Sequence, residues 1–377
     1  MGRGAWSMKG KHRGIPLLLI IAFFGALCLP VLQMRFHFFP EPENTENREL
    51  AQAPTGPYAS LGEFAEGWER YAVDNFGFRP YLIRWNSILK LTFLGVSPVP
   101  SVILGKDSWL FYHSEALADG NTINDFRGTI PLSQAELVRL QRQLEANQRA
   151  FAARNIAYLV AIVPNKSTIY SEYLPDSIRT FRSTTRLDQL VDHMRRHSQV
   201  KILDLRDALF RAKSEHPVYW KTDSHWNSYG AYIGYVEIMR QLSAYLPALA
   251  PAPIAADAVK TERAPTGGDL AHMLFLQDAM AEENDTRFNL DNAPNPLQMG
   301  SLIFRHDSFG DGLYPYLHRS FKELANIAPF APYRFEAIFE KHPEAVLHVF
   351  AERYITQAIH DDFYYEDEKP GQAVTRP

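Results

Sequence analysis

The chain has 377 residues, of which 46% are hydrophobic and 22% are charged. Such a composition is typical of a globular protein with a large buried core, and it excludes disorder over most of the length. The formal net charge of -4 at pH 7 gives no general argument for a nucleic-acid-binding function. Because Cys28 is the only cysteine, an internal disulfide and a cysteine-based zinc or redox site are excluded.

The N-terminal segment has the pattern of a membrane anchor. A basic segment, residues 1–14, precedes an apolar run at residues 15–34 that holds no charged side chain. At about 1.5 Å per residue, this run is long enough to cross a hydrocarbon core of roughly 30 Å. Since basic flanks stay in the cytoplasm, we expect a single-pass membrane protein with the rest of the chain outside the cytoplasm.

Two alternatives to an uncleaved anchor stay open. The same apolar run is compatible with a cleaved signal peptide, although no Ala-x-Ala pattern follows it closely. A lipid attached at Cys28 is a weaker alternative, because Leu27 stands where a small residue would be needed.

Hydrophobic patterning gives the order of the elements that follow. It predicts a proline-rich linker at residues 35–60, a folded domain at 61–356 and an acidic tail at 357–377. Within the domain it predicts, in order, an interrupted helix at 63–94, a hairpin at 102–112, a helix that begins with a capping box at Ser133 and Glu136 and ends near Asn155, strands at 156–163 and 200–205, a helix at 229–242, a strand at 301–304, a helix at 312–325, and strands at 335–339 and 345–350. This alternation predicts an α/β sandwich around a mostly parallel sheet.

The polar segment at residues 222–227 carries the first candidate site residues. Asp223 stands two positions before His225, just ahead of a predicted helix. At that spacing the carboxylate can contact imidazole Nδ1, which fixes the tautomer and leaves Nε2 free as a base. A surface ion pair or half of a metal site would give the same spacing.

The segment at residues 301–310 carries the second candidate. A short apolar strand runs directly into Asp307 and Ser308, and flexible glycines follow before the next helix. This places Ser308 at the carboxyl end of a parallel strand, where open α/β sheets hold their sites. The backbone N–H of Ser308 or Phe309 would then point into the site and stabilise an oxyanion. A serine that only caps the helix is the alternative.

The two segments complement each other chemically. A serine hydroxyl is a poor nucleophile unless a neighbouring base takes its proton. His225, oriented by Asp223, would supply that base for Ser308. The sequence therefore predicts a catalytic triad of Asp223, His225 and Ser308, with the acid and base ahead of the nucleophile in the chain.

A family resemblance rests on eight short segments in order. Together they run from about residue 44 to residue 356, and the chain resembles the alginate O-acetyltransferase family of AlgJ-like and AlgX-like proteins, which have an SGNH-hydrolase-like fold. The segments are Glu46-Asn47-Arg48, residues 74–79, residues 104–111, residues 163–166 together with Ile169-Tyr170, residues 222–226, Gly268-Asp269-Leu270, Asp307-Ser308-Phe309 and Glu352-Arg353-Tyr354.

The resemblance implies a three-layer sandwich with a permuted motif order. It implies that Ser308 carries an acetyl group, that His225 is the base and that Asp223 orients it. The implied reaction is acetyl transfer to hydroxyls of a secreted exopolysaccharide, alginate or a similar polymer. The implied partners are a multi-pass membrane acyltransferase that donates the acetyl group and other proteins of a polysaccharide secretion complex, with no bound cofactor and no metal. The chain resembles the short AlgJ-like form without a carbohydrate-binding module.

Weaker candidates surround the triad. Four residues are candidates for oxyanion or substrate binding: Phe309, Asn165, Lys166 and Trp226. A simple loop turn explains Asn165 and Lys166 equally well, and core packing is favoured for Trp226. His306 is expected at the surface and Asp269 as a helix cap, and Arg353 is expected to pair with a carboxylate.

Three functions are compatible with these residues. The first is polysaccharide O-acetylation. The second is hydrolysis by a periplasmic carbohydrate esterase or deacetylase with the same triad, because the residues do not distinguish water from a sugar hydroxyl as acceptor. The third is a non-catalytic scaffold in a polysaccharide secretion complex, which would be favoured if the three triad residues lay too far apart for hydrogen bonds.

Overall fold

The chain divides into two compact units, which are described separately. The computed structural model describes residues 14–40, 49–178, 180–181, 184–247, 259–283, 285–288, 300–327, 330, 332–360 and 363–364. The first unit comprises residues 1–98 and 273–276, and the second comprises residues 99–272 and 277–377. The domain limits expected from the sequence, at 60/61 and 356/357, remain predictions.

The first unit is helical. Its elements are α1 (Gly14–Phe36), α2 (Leu61–Asp74), α3 (Arg79–Leu89) and a π-helical turn at Lys90–Leu94. The 20-residue stretch Leu17–Phe36 of α1 has a mean hydropathy of 2.5 and only 6% of its most apolar window is buried. Its length and composition are sufficient to cross a membrane, which is consistent with the expected anchor. The predicted break near Gly77 and Pro80 is confirmed, since Pro80 stands in the first turn of α3.

The second unit alternates strands and helices. Its strands are β1 (Val102–Leu104), β2 (Leu110–Tyr112), β3 (Ala157–Val163), β4 (Ile202–Asp204), β5 (Val259–Glu262), β6 (Asp285–Phe288), β7 (Ser301–His306), β8 (Glu323–Ile327), β9 (Tyr333–Arg334), β10 (Ala345–Ala351) and β11 (Phe363–Tyr364). Its helices are α4 (Thr122–Phe126), α5 (Gln134–Ala152), α6 (Lys166–Ile169), α7 (Arg186–His197), α8 (Arg206–Lys213), α9 (Ser228–Ser243), α10 (Asp269–Met273, whose last residue belongs to the first unit), α11 (Tyr314–Ser320), α12 (Phe335–Phe339) and α13 (Ile355–His360).

A five-stranded parallel sheet forms the centre of this unit. Its strand order is β4-β3-β10-β7-β8, and every neighbouring pair is parallel. All seven residues of β3 and all seven of β10 are buried. Strands buried on both faces read as continuous apolar runs, which is why the sequence pattern located β3 and β10 correctly.

Helices cover both faces of the sheet and make it the middle of three layers. Alternate residues of β10 point to opposite faces, so Leu347 belongs to one core cluster and Val346 to the other. The first cluster joins the sheet to α8, α9 and α11, and the second joins it to α5, α7, α12 and α13. The predicted α/β sandwich with a mostly parallel sheet is thereby confirmed.

The capping box predicted at the start of α5 is also present. The Ser133 hydroxyl accepts from the Glu136 N–H at 3.2 Å, and the Glu136 carboxylate accepts from the Ser133 N–H at 2.8 Å. The two orphan donors at the start of the helix are satisfied reciprocally.

Two predicted elements were wrong. The helix expected at 312–325 ends at Ser320, because Phe321 is extended, and residues 323–327 pair with β7 as the edge strand β8. The strand expected at 335–339 is helix α12, in which Phe335 and Phe339 lie on one face with ring centroids 5.7 Å apart. Tertiary pairing overrode local propensity in the first case, and a short apolar run was ambiguous in the second. Most of the acidic tail, residues 365–377, lies outside the described residues.

Candidate active site

Ser308 stands at the carboxyl edge of the sheet, immediately after β7. Residues Ser308–Gly312 form a 3₁₀ helix, and Asp307 caps it by accepting from the Phe309 N–H at 2.9 Å. The other Asp307 oxygen accepts from the Ala351 N–H at the end of β10, at 2.7 Å. One buried carboxylate therefore joins two strand ends and fixes the turn. Ser308 is exposed although both its neighbours are buried.

Burial raises the pKa of the Asp307 carboxyl, and the nearby Arg353 guanidinium and two N–H donors oppose that rise.

The loop with His225 is fixed at both of its ends. A β-bridge between Tyr219 and Trp226 closes the loop, and the Asn227 side chain caps α9 by accepting from the Gly230 N–H at 2.9 Å. These contacts leave Asp223 and His225 on a short connection directly ahead of a helix, as the sequence indicated.

The structure brings Asp223, His225 and Ser308 together. His225 Nε2 lies 2.8 Å from Ser308 Oγ, and His225 Nδ1 lies 2.7 Å from Asp223 Oδ1. The His225 backbone N–H also donates to Asp223 Oδ1 at 2.8 Å. This is the serine–base–orienting acid geometry in which the imidazole can take the hydroxyl proton.

The electrostatics of the pair match that geometry. Burial disfavours the charged form of His225, but the hydrogen bond and the charge of Asp223 outweigh it and raise the His225 pKa. Burial likewise opposes ionisation of Asp223, but the hydrogen bond and charge of His225 lower its pKa. Asp223 is therefore ionised, and an imidazolium beside it is stabilised.

Asp269 is a site residue that the sequence analysis treated only as a helix cap. Its backbone N–H donates to Asp223 Oδ2 at 2.9 Å, and its carboxylate accepts from the N–H and the hydroxyl of Ser224 at 2.7 and 2.5 Å. Its Oδ2 lies 3.5 Å from His225 Nδ1. Burial, together with the charge of Asp223, raises the Asp269 pKa. The signal available in the sequence was the segment Gly268-Asp269-Leu270.

One group in the described part of the chain has the composition of a metal site. Asp223, His225 and Asp269 each offer one ligand atom, and these atoms lie within 4.8 Å of one another. Their ligand atoms already make hydrogen bonds: the Asp223 carboxylate accepts from His225 and from the Asp269 N–H, and the Asp269 carboxylate accepts from Ser224. This arrangement fits a group of hydrogen-bonded side chains better than a metal site.

Two weaker candidates are corrected by the structure. The Phe309 N–H, a candidate oxyanion donor, is directed at Asp307 Oδ1 instead. Trp226, a candidate for sugar stacking, is 2% exposed and has no ring face open to a ligand. Its indole N–H donates to the Phe309 carbonyl at 3.0 Å. Trp226 thereby ties the loop of the base to the turn of the nucleophile, a role that its spacing did not indicate.

Asn165 and Lys166 lie where β3 ends, and both are buried. The Asn165 N–H donates to Glu352 at 2.8 Å, and burial raises the pKa of Glu352 to about 7. Lys166 Nζ donates to three backbone carbonyls, so it is not available to a substrate, which corrects the expectation for this residue. No hydrogen bond within the described ranges joins Asn165 to a triad side chain, and its predicted role in substrate binding remains a prediction.

His306 and Arg353 flank the site without joining the triad. His306 is partly buried, and its ring stacks on Phe304 with centroids 4.1 Å apart. The expected surface position of His306 is therefore only partly met. Arg353 is buried, and its guanidinium lies 5.1 Å from the Phe309 ring centroid, where it also faces the Asp307 carboxylate.

Comparison with known proteins identifies a family. Residues 102–299, just over half of the chain, match the family described as "SGNH hydrolase-like domain, acetyltransferase AlgX". The probable alginate O-acetylase AlgJ of Azotobacter vinelandii is 26% identical over 228 residues, which are 59% of this chain and 53% of that protein. Its counterpart from Pseudomonas putida is 28% identical over 220 residues, 57% of this chain and 51% of the relative. The chain thus spans about half the length of the curated relatives it matches.

Solved structures that are similar to this chain include two bacterial proteins. The O-acetyltransferase domain of Pseudomonas putida AlgJ is 22% identical, with a TM-score of 0.42, and the match covers 68% of this chain and 93% of that one. Bacillus cereus PatB1 is 17% identical, with a TM-score of 0.48, and the match covers 68% of this chain and 98% of that one.

Proposed function

Because the chain belongs to the family of SGNH hydrolase-like domains with acetyltransferase AlgX, we propose that it is an O-acetyltransferase acting on the hydroxyls of a secreted polysaccharide. The observation that carries the proposal is the hydrogen-bonded line from Ser308 through His225 to Asp223. Such a line activates a serine for acyl transfer and has no use in a protein that only binds polymer.

In the first half-reaction Ser308 takes the acetyl group from a donor ester. Its Oγ attacks the acetyl carbonyl carbon while His225 Nε2 accepts the hydroxyl proton. The tetrahedral intermediate collapses by breaking the bond to the donor oxygen, which leaves with the proton from His225. The enzyme then holds an acetyl ester on Ser308.

In the second half-reaction a sugar hydroxyl replaces the donor. His225 takes the proton of that hydroxyl, whose oxygen attacks the acetyl carbon on Ser308. Collapse of the second intermediate returns the proton to Ser308 Oγ and releases the acetylated polymer. Asp223 keeps its charge throughout and stabilises the imidazolium in both steps.

The oxyanion of each intermediate needs a fixed donor. With the Phe309 N–H directed at Asp307, we assign this role to the Ser308 N–H. It opens the 3₁₀ helix at Ser308–Gly312 and has no acceptor within that helix, as holds for the first donors of any helix. A donor of this kind contributes about 10²–10³-fold to the rate.

The polymer, the donor and the location belong to the same proposal. The relatives named AlgJ are described as alginate O-acetylases, and alginate or a similar exopolysaccharide is the acceptor we assign here. A multi-pass membrane acyltransferase would deliver the acetyl group, so no bound cofactor is assigned. Helix α1 would anchor the chain in the inner membrane beside that partner and beside other proteins of a polysaccharide secretion complex, with Ser308 in the periplasm.

The decisive experiment replaces Ser308 in a host that secretes the polymer. The Ser308→Ala variant should leave the polymer yield unchanged and abolish its acetyl groups, measured by NMR of the purified polysaccharide. The exposed Ser177→Ala variant is the matched control and should acetylate normally. Persistence of acetylation in Ser308→Ala would refute the triad.

Hydrolysis by an esterase is the second candidate, because water can accept the same acyl group. Full-length protein in detergent, given an acetyl donor ester with and without oligosaccharide, separates the two. Acetyl transfer predicts acetylated oligosaccharide and faster donor turnover when sugar is present. Free acetate at a rate that sugar does not change would identify an esterase.

A further inference from the structure

Lys166 is a buried cation with an unusual set of partners. It is the first residue of α6, directly beyond the end of β3, and it is 4% exposed. Its Nζ donates to the carbonyls of Leu110, Lys221 and Asp223 at 2.6, 2.7 and 2.8 Å. An ammonium group has three N–H donors, and here each has one acceptor.

The three carbonyls belong to two segments. Leu110 begins β2, which forms a hairpin with β1. Lys221 and Asp223 lie on either side of Thr222 in the loop between Tyr219 and Trp226, which is called the triad loop below. Lys166 therefore binds the main chain of the triad loop at two carbonyls and joins it to β2 through a third. The Asp223 carbonyl is fixed by Lys166 while the Asp223 carboxylate is fixed by His225 and the Asp269 N–H.

Aromatic rings and carboxylates around Lys166 partly offset the cost of burying its charge. Nζ lies 5.0 Å from the Trp109 ring centroid and 5.3 Å from that of Phe111, and both faces attract a cation. Burial lowers the Lys166 pKa to about 7, and the carboxylates of Glu282, Asp223 and Asp269 oppose that fall. A neutral amine has two N–H groups and would lose one of the three bonds, although the Lys221 carbonyl also accepts from the Leu110 N–H at 2.9 Å. The carbonyls of Leu110 and Asp223 therefore depend most on Lys166.

We propose that Lys166 is a positioning residue for the triad: its ammonium holds the main chain on both sides of Thr222 and thereby aims the Asp223 carboxylate at His225 Nδ1. The inference rests on the proposed function, since it concerns the same triad. It assigns Lys166 no contact with substrate.

A lysine that only stabilises the fold would behave differently from one that aims Asp223. The discriminating quantity is the pKa of His225, because contact with Asp223 raises it. If Lys166→Met lets the loop relax, Asp223 moves from the imidazole and the His225 pKa falls toward its ordinary value. Loss of fold stability alone leaves the pKa of the remaining folded molecules unchanged.

The chain offers a matched control lysine. Lys213 Nζ donates to the Ile169 carbonyl at 2.6 Å and lies 4.3 Å from the Tyr170 ring centroid, so it too joins a backbone carbonyl to an aromatic face. It contacts no residue of the triad loop within the described residues. Lys213 also forms an ion pair with Glu172 at 2.5 Å, and Ile169 ends the helix that Lys166 begins. Lys213→Met therefore removes contacts of the same kind that do not involve the triad loop.

The test measures the His225 pKa by NMR titration of its ring protons in full-length wild type, Lys166→Met and Lys213→Met. We expect the pKa to fall only in Lys166→Met. We also expect the turnover of a chromogenic acetyl ester to fall about tenfold or more in Lys166→Met and to stay within about twofold of wild type in Lys213→Met. An unchanged His225 pKa in folded Lys166→Met overturns the proposal.

Two further measurements test the proposal if Lys166→Met does not fold. Lys166→Gln has a side chain one bond shorter and carries no charge, so it should also loosen the bond to the Asp223 carbonyl and lower the His225 pKa. An unchanged pKa there counts equally against the proposal. On an Asp223→Asn background, either Lys166 variant should cost less than about twofold in turnover, because the group it positions is already changed. An undiminished loss on that background overturns the proposal.

The two proposals fail in different ways. The His225 titration needs no turnover, so it judges Lys166 even if Ser308→Ala shows that the chain transfers no acetyl group. Conversely, a Ser308-dependent acetyl transfer with an unmoved His225 pKa in Lys166→Met refutes the positioning role alone.

Discussion

At the scale of single residues, Asp223 receives more donors than any other carboxylate of the site. One oxygen accepts from the ring and the backbone of His225, and the other accepts from the Asp269 N–H. A carboxylate held by three N–H groups cannot rotate away, and it stays ionised. The direction of the imidazole is therefore fixed before any substrate arrives, which removes a reorganisation step from the reaction.

The Asp223→Asn variant tests the charge in this arrangement. Removing the carboxylate removes the interaction that raises the His225 pKa, so the acidic limb of the pH–rate profile should move to lower pH. The maximum rate should fall by about 10²–10⁴-fold, because an amide favours the wrong tautomer. The readout is hydrolysis of a chromogenic acetyl ester between pH 5 and 9.

The surface variant Asp192→Asn serves as the control, since Asp192 pairs only with Arg195 and Arg196 in the described residues. Its profile should coincide with that of the wild type. A profile of Asp223→Asn that keeps its acidic limb in place would show that another group sets the His225 pKa.

At the scale of elements, the site depends on how closely the start of α10 approaches the triad loop. A Cβ at Gly268 would overlap the Asp223 Cβ and would lie 2.6 Å from the carboxylate Oδ2 and 2.8 Å from the Asp223 Cα. This position needs glycine because Asp223, including its backbone, occupies the space where a Cβ would stand. The contact lets the Asp269 N–H reach Asp223 from the other side of the loop.

Gly268→Ala should therefore damage catalysis. The added methyl group must displace both the side chain and the backbone of Asp223, so we expect turnover to fall at least about tenfold and the melting temperature to fall as well. Gly62→Ala is the control, because the nearest atom to its Cβ would be the Ser60 hydroxyl at an ordinary 3.6 Å. Normal turnover in Gly268→Ala would mean that Asp223 can adopt a second working position.

Individual elements show which parts of the fold can be predicted from local sequence patterns. Strands β3 and β10 and the cap of α5 follow from local signals, continuous apolar runs and a Ser-x-x-Glu box, and all three are present. The edge strand β8 lacks such a signal, since its identity depends on pairing with β7. The triad residues were found because their chemistry requires particular side chains at particular ends of elements.

The contacts that support the triad could not be predicted from the sequence in the same way. Lys166 and Trp226 were noticed, but their roles depend on where a buried N–H finds its acceptor, and spacing does not encode that. The sequence predicts that the N–H of Ser308 or of Phe309 stabilises the oxyanion, because a nucleophile turn offers that geometry for either. The competing carboxylate of Asp307, one residue before Ser308, accepts from the Phe309 N–H instead.

At the scale of the whole molecule, membrane orientation decides whether the proposed reaction has access to a secreted polymer. Cys28 is the only cysteine, so Cys28→Ser gives a cysteine-free background for labelling. In that background Ser177→Cys, at an exposed position of the second unit, should react with a membrane-impermeant maleimide in intact cells. Ser7→Cys, in the N-terminal basic segment, should react only after the inner membrane is disrupted.

Labelling is read as a mass shift of the purified protein. The reverse pattern, with Ser7→Cys accessible and Ser177→Cys protected, would place Ser308 in the cytoplasm. The assignment of a secreted polymer as acceptor would then be wrong.

The order of strands across the sheet has a consequence for synthesis. Of the five strands, β10 is the last to leave the ribosome, yet it is the middle strand of the sheet. It joins the pair β3 and β4 on one side to the pair β7 and β8 on the other. Until residue 351 has emerged, the Asp307 turn lacks the Ala351 N–H that holds it, and the sheet has a gap at its centre. Ser308 and His225, 83 residues apart in the chain, can therefore be held together only after β10 has emerged. Before that point the nascent chain has no assembled triad.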